Sequence, residues 1–213
     1  MTTPPEPIHA HLAPDDPRRT SPAAARNRAP LLAVLRTRLT RPAHLLEIAS
    51  GTGEHALWLS TALPHITWQP TDLDPGARAS IEAWRTEAGP NLLPPLPLDA
   101  SSSIWPIPTA DIILSCNMIH IAPWSAALGL MAGAARILPP GGTLFLYGPF
   151  KDGSATAPGN TEFDIDLRTR NPEWGVRDIS DVAALAERHG LQLHERIPMP
   201  ANNLVLVFRL IAA

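Results

Sequence analysis

Glu47, Gly51 and Gly53 stand close together at the end of a short apolar run, in the string His44-Leu45-Leu46-Glu47-Ile48-Ala49-Ser50-Gly51-Thr52-Gly53-Glu54-His55-Ala56. A strand, a glycine turn and a helix in this order build a nucleotide-type pocket at the carboxyl end of the first strand of an open α/β sheet. Gly51 and Gly53 can take backbone angles closed to other residues and let a ligand lie against the main chain. The free N–H groups of a helix beginning near Glu54 suit a carboxylate or a phosphate. The spacing Gly51-x-Gly53-x-x-Ala56 also fits a dinucleotide fingerprint, so the glycines alone do not choose between NAD and S-adenosylmethionine (SAM). Glu47 does: a carboxylate there opposes a diphosphate and attracts a cation. SAM carries an ammonium, a sulfonium and one carboxylate, and is the preferred ligand. An ordinary turn that holds no ligand is the remaining reading.

Asp72 follows Gly53 by about twenty residues, where α/β nucleotide folds place the acid that binds ribose hydroxyls. An ionised carboxylate accepts both donors of the diol. Asp74 precedes Pro75 and suits the cap of the next helix, so the ribose is assigned to Asp72 and the cap to Asp74. Asp99 could accept from an adenine amino group, or simply form the turn before Ser101-Ser102-Ser103. Asn117 and His120 follow the continuous apolar run 111–116, which reads as a central parallel strand beside the first. Asn117 could touch the methionine part of SAM or the substrate. His120 is the one histidine placed to act as a general base near neutral pH, or else a structural histidine in a loop. Cys116 reads as a small buried residue.

Positioning these groups requires a regular frame. Ser21-Pro22 starts a helix, with Ser as cap, and Pro30 is expected to kink or restart it. Strands are expected at 44–48, 66–71, 111–116 and 143–147, with a proline-broken edge strand at 92–98. Helices are expected at 54–63, 75–88, 124–138 and 179–189. Strands 191–197 and 204–210 are joined so briefly that they must pair antiparallel. The segment 151–175 lacks clean periodicity and carries Asn160, Phe163, Asp164, Arg168, Arg170 and Trp174, as a substrate-holding loop or a solvated connector. Residues 1–20, rich in Pro, Asp and His, read as a disordered tail before a single domain at 21–213. His9 and His11 in that tail read as solvated rather than metal-binding.

Composition narrows the partners. The chain of 213 residues is 45% hydrophobic with a formal charge of −3, enough for one full core. No Lys/Arg block occurs and Lys151 is the only lysine, which argues against nucleic acid and membrane surfaces, since phosphate binding needs a basic footprint. The lone Cys116 excludes an internal disulfide and a Cys-based zinc site, no metal is expected, and a reducing cytoplasm is the natural compartment. No apolar run reaches membrane-spanning length, and the N-terminus lacks a signal pattern.

Five alternating β/α units closed by an antiparallel pair resemble the Rossmann-like class I SAM-dependent methyltransferase fold: α/β, with a seven-stranded mostly parallel sheet, an antiparallel C-terminal strand pair and helices on both faces. The strings Ser21-Pro22-Ala23-Ala24-Ala25-Arg26-Asn27-Arg28, Glu47-Ile48-Ala49-Ser50-Gly51-Thr52-Gly53-Glu54-His55, Trp68-Gln69-Pro70-Thr71-Asp72-Leu73-Asp74, Asn117-Met118-Ile119-His120-Ile121, Leu146-Tyr147-Gly148-Pro149-Phe150 and Pro200-Ala201-Asn202-Asn203 resemble the DUF938 family, of the methyltransferase-like 26 type. The resemblance implies that Glu47, Gly51 and Gly53 hold the methionine end of SAM, Asp72 the ribose and Asp99 the adenine, with Ala49, Thr52, Leu73, Ala100 and Met118 also among the cofactor contacts. It implies that Asn117 lines the active site and touches the cofactor, and that Arg26 and Asn27 cover the cofactor from the N-terminal helix. An Asn/Asp-Pro-Pro-aromatic string, carried by amino-methylating nucleic-acid enzymes, is absent; Asn117-Met118-Ile119-His120 stands there instead.

The expected function is transfer of the sulfonium methyl to a small-molecule acceptor, leaving S-adenosylhomocysteine. His120, Asn117 and Tyr147 are the expected catalytic residues. Asn160, Asp164, Arg168, Trp174, Arg177, Asn202 and Asn203 are the expected substrate contacts, with Arg168 or Arg177 suited to a carboxylate. The alternatives are an NAD-dependent oxidoreductase, which Glu47 disfavours, and a non-catalytic SAM-binding module.

Overall fold

The computed structural model describes residues 16–211. Its elements are α1 (Pro22–Arg36), β1 (Ala43–Ile48), α2 (Glu54–Ala62), β2 (Ile66–Asp72), α3 (Pro75–Arg85), β3 (Leu96–Pro97), β4 (Ile112–Cys116), α4 (Trp124–Ile137), β5 (Thr143–Pro149), α5 (Pro158–Arg170), α6 (Ile179–Glu187), β6 (Leu191–Met199) and β7 (Asn203–Leu210). They form one seven-stranded sheet in the order β3-β2-β1-β4-β5-β7-β6. β1 to β5 are parallel, and β7 pairs antiparallel with both β5 and β6, as expected. The chain runs outward from β1 to β3 and then returns to the other side of β1 with β4. That reversal opens a crevice at the carboxyl ends of β1 and β4.

Alternation along the central strands gives each face of the sheet its own core. Leu46, Ile48, Ile113, Leu144 and Leu146 pack with Ala127, Leu130 and Met131 of α4 and Val182 and Leu185 of α6. Leu45, Ile112, Leu114 and Phe145 pack on the opposite face with Leu31 and Leu35 of α1 and Leu59 of α2. Burial on both faces is why these strands read as unbroken apolar runs.

Four expectations change. α1 runs through Pro30 without a break. Proline removes one intrahelical bond, but Leu31 and Leu35, both fully buried just after it, hold the helix against the sheet. The edge strand expected at 92–98 shrinks to Leu96–Pro97 beside Thr71 and Asp72, plus one bridge between Leu92 and Trp68. Pro94, Pro95 and Pro97 have no N–H to give a longer ladder. The segment 151–175 contains α5, whose exposed Phe163 and Ile165 and single fully buried Leu167 leave no amphipathic period to read. Cys116 is half-buried rather than buried.

The described part of the N-terminal tail is anchored on α3. Arg18 pairs with Asp16 and Glu87, and its guanidinium lies 5.0 Å from the Trp84 ring centroid. The Arg19 amide donates to the Ser80 hydroxyl at 2.7 Å, and the Trp84 indole donates to the Arg19 carbonyl at 3.0 Å. The rest of the expected tail, residues 1–15 with His9 and His11, lies outside the described residues. Among the described residues no helix is long and apolar enough to cross a membrane.

Candidate functional site

The glycine turn leaves β1 exactly where the crevice opens, and its shape is held from β2. The Ser50 amide donates to the Thr71 carbonyl at 2.8 Å. The Gly51 amide donates to Asp72 Oδ2 and the Asp74 amide to Asp72 Oδ1, both at 2.9 Å. Ala49, Gly51 and Gly53 have φ of 57°, 59° and 87°, the left-handed region. Nothing lies within 4 Å of where a Gly51 Cβ would sit, so the turn faces open space there. A Cβ on Gly53 would stand 2.9 Å from the Ile81 Cα, so that glycine lets α2 close onto α3. Asp74 caps α3 by accepting from Gly76 and Ala77, as its place before Pro75 implied. Each Asp72 oxygen keeps a second lone pair for a diol. Beside it Leu73 is 62% exposed, an apolar surface at the crevice edge.

Glu47 lies deeper than a surface carboxylate. It is 1% exposed, and its Oε2 accepts the Trp68 indole N–H at 2.8 Å. Burial pushes its pKa up to about 7, against the pull of the Trp68 and Ser50 hydrogen bonds, and the Asp72 charge adds to the rise. Such a carboxyl is partly protonated near neutrality. Trp68 was not singled out by the sequence reading; its place on the strand next to Glu47 was the available signal.

After β3, Asp99 Oδ1 accepts the Ser101 amide at 2.8 Å and the Ser101 hydroxyl at 2.7 Å, which is the turn-forming role. Ala100 is buried against α4, where Gly129 leaves room for its carbonyl. The Thr52 hydroxyl turns to Glu54 Oε2 at 3.2 Å.

At the ends of β4 and β5, Asn117 takes φ 61° and donates its amide to the Tyr147 carbonyl at 2.7 Å. Met118 is buried behind it. His120 does not match the general base expected of it. It is 1% exposed, and burial, with the nearby Arg177 charge, holds its pKa down to about 3. Its Nδ1 accepts the Arg177 amide at 3.2 Å, so the proton sits on Nε2, which faces Gly148 with no hydrogen-bond partner. A neutral ring with one nitrogen engaged and the other already protonated is a poor proton acceptor.

α1 reaches the same place. Asn27 is buried, with Oδ1 at 2.5 Å from His55 Nε2, and its amide stands beside the Tyr147 hydroxyl. Burial raises the Tyr147 pKa. Arg26 is exposed on the same helix. His55 escaped the sequence reading because nothing but its place in the first turn of α2 marks it.

The expected substrate contacts are largely engaged within the protein. Arg177 donates to the carbonyls of Ile119 at 2.8 Å, Ala122 at 2.7 Å and Glu173 at 2.9 Å, and its guanidinium lies 5.4 Å from the Trp124 ring centroid. Asp164 accepts from Lys151 at 2.6 Å, Arg168 at 3.1 Å and the Val176 amide at 2.8 Å. Burial alone would raise its pKa, but these donors outweigh it and hold the carboxyl below the usual range. Trp174 is half-buried under Arg170. Asn202 and Ala201, both in the left-handed region, turn β6 into β7, and Asn203 closes that turn on the Pro200 carbonyl at 3.0 Å. Asn160 donates to the Phe150 and Asn202 carbonyls, each at 3.0 Å, tying α5 to both strand ends. Asn160→Ala is therefore expected to cost about 2 kcal/mol in urea denaturation, by stranding two carbonyls, with cofactor affinity unchanged.

Solved structures share this architecture. SibL, a SAM-dependent methyltransferase in its apo form, superposes with a TM-score of 0.75 at 21% identity, over 89% of this chain and 56% of its own. Human N-acetylserotonin methyltransferase in complex with SAM gives 0.74 at 15% identity, over 89% and 53%. An O-methyltransferase family protein from Burkholderia thailandensis gives 0.75 at 16% identity, over 90% and 58%. The chain spans little more than half the length of these neighbours, and at such identities the likeness shows the class I methyltransferase fold alone. The family described as "Protein of unknown function (DUF938)" matches residues 18–210, which is nearly all of the described chain. With that match, the chain belongs to the DUF938 family.

Proposed function

We propose that the protein is a SAM-dependent methyltransferase acting on a small-molecule acceptor. The observation that carries this reading is the pair of acids at the crevice: Glu47, buried at the end of β1, and Asp72, at the end of β2, with the Gly51 turn bonded between them and open space before Gly51. A cationic amino-acid head fits Glu47, a ribose diol fits the spare lone pairs of Asp72, and exposed Leu73 offers a face to a base. A diphosphate would meet Glu47 instead.

When bound, SAM supplies an activated methyl group on a sulfonium. The chain's own residues then have to bind it, orient the acceptor in line with the S–CH₃ bond and keep water out. Glu47 and Asp72 bind; Asn117 and Tyr147, at adjacent strand ends, orient; α1 covers. With His120 neutral and its Nε2 protonated, this histidine is not the group that takes a proton from the acceptor.

Isothermal titration tests the reading. SAM and S-adenosylhomocysteine should bind in the micromolar range while NAD gives no heat. Asp72→Ala should weaken cofactor binding at least about tenfold, because it removes both the diol acceptor and the Gly51 restraint. Heat from NAD, or none from SAM at millimolar concentration, would end it.

A further inference from the structure

Thr52 stands between the two glycines of the turn after β1, and glycine on either side opens many backbone shapes to it. From β2 the turn is held at Ser50 and Gly51. Thr52 itself is held by two buried side chains. The Ser80 hydroxyl of α3 donates to the Thr52 carbonyl at 2.7 Å. Glu54 Oε2, at the start of α2, accepts the Thr52 hydroxyl at 3.2 Å. Ser80 is fully buried and Glu54 nearly so.

Both side chains also bond to the segment that precedes α1. Ser80 Oγ accepts the Arg19 amide at 2.7 Å, and Glu54 Oε2 accepts the Ser21 amide at 2.5 Å. An amide N–H only donates, so the single hydroxyl hydrogen of Ser80 is left for the Thr52 carbonyl. One turn further along α3, the Trp84 indole donates to the Arg19 carbonyl at 3.0 Å, and the Arg18 guanidinium lies by the same ring. The main chain of Arg19 and Ser21 thus bonds to the same two side chains that grip Thr52.

We propose that residues 18–21 act as a strap that holds the glycine turn in its ligand-accepting shape, with Ser80 and Glu54 as positioning residues between strap and turn. The identity of the ligand, SAM, rests on the methyl-transfer reading above. Residues on the outer side of α3 then set the affinity for a cofactor they do not touch. The coupling is reciprocal: a cofactor that prefers the held turn tightens the strap by the same factor.

Arg19→Pro removes the amide hydrogen that Ser80 accepts and changes nothing in the turn itself. Arg19→Ala keeps that amide and loses a half-exposed ion pair with Asp74, so it is the control. In the free protein, hydrogen–deuterium exchange of the Gly51 and Gly53 amides should speed up about tenfold in Arg19→Pro and in Ser80→Ala. It should keep the parent rate in Arg19→Ala, and the Ile113 and Leu114 amides of β4 should be unchanged in all three. A general loss of stability would speed β4 as well. The S-adenosylhomocysteine dissociation constant should rise about tenfold in Arg19→Pro and Ser80→Ala, and by no more than about twofold in Arg19→Ala. In the parent, saturating S-adenosylhomocysteine should slow exchange of the Arg19 and Ser21 amides about tenfold. Should Ser80→Ala fail to fold, Arg19→Pro reads the same relay from the strap. Turn exchange or dissociation constants equal to the parent's, or strap amides indifferent to S-adenosylhomocysteine, overturn the proposal. The exchange of the free variants needs no ligand, so its failure is distinct from failure of the parent to bind S-adenosylhomocysteine, which strikes the methyltransferase reading.

Discussion

Replacing Glu47 by glutamine is expected to make the free protein less sensitive to alkali and, in the same molecule, to cripple cofactor binding. The carboxyl has an ordinary value of 4.5 and stands at about 7 in the folded chain. Where both states are protonated, below 4.5, its burial costs no charge. As the pH rises through that value the unfolded chain ionises and the folded one does not, so stability falls until the folded value is passed. The gap corresponds to about 3 kcal/mol of stability lost between about pH 4 and pH 8. Glutamine keeps the shape and an oxygen for the Trp68 indole but cannot ionise. The fall in urea stability over that range should therefore be about 3 kcal/mol smaller in Glu47→Gln than in the parent, whatever constant offset the amide introduces. Binding goes the other way. An ammonium meeting glutamine loses its counter-charge, and the S-adenosylhomocysteine dissociation constant should rise at least about tenfold at alkaline pH. In the parent, affinity should fall as the pH drops below about 7, since the cofactor must then displace a proton. Equal dissociation constants for the two proteins would remove Glu47 from the site.

Gly129→Ala should be the most damaging single-methyl change in the helices. A Cβ at Gly129 would stand 2.1 Å from the Ala100 carbonyl oxygen and 2.6 Å from the Ser101 Cα, both main-chain atoms that cannot swing aside. Alanine favours a helix over glycine by about 1 kcal/mol, but overpacking of this kind costs about 3 kcal/mol or more, so the net loss is about 2 kcal/mol. For a chain of this size that lowers Tm by about 6 °C. The strain falls on the Asp99–Ala100 turn, so cofactor affinity should drop with stability. Gly159→Ala is the control: in α5 its Cβ would meet only Asn202 Nδ2 at 3.6 Å, and the helix should gain up to about 1 kcal/mol. Equal melting temperatures for Gly129→Ala and the parent would show that α4 does not press on the turn.

The frame was legible because its signals are local. Buried parallel strands appear as apolar runs, Asp74-Pro75 and Ser21-Pro22 announce helix starts, and Gly51 and Gly53 mark the turn. α5 was not legible, because it buries little and so shows no period. The continuity of α1 was not legible either, since the packing of Leu31 and Leu35 that overrides Pro30 is tertiary. In the site, residue type was readable and employment was not. Glu47 and Asp72 fall where their spacing put them. His120, Arg177, Asn160, Asp164 and Asn203 have the chemistry of a substrate site, but the loops and turns around them deliver carbonyls and amides to them first. His55 carries no sequence signal because its partner Asn27 is on another helix.

Arg177 has a thermodynamic consequence. By donating to the carbonyls of Ile119, Ala122 and Glu173 it stitches the loop after β4, the entry to α4 and the approach to α6 into one block. The rotational freedom of those three segments is surrendered when the chain folds, not when a guest arrives. A ligand that docked against them would meet a wall with little entropy left to forfeit, so weak contacts there would yield more affinity than against free loops.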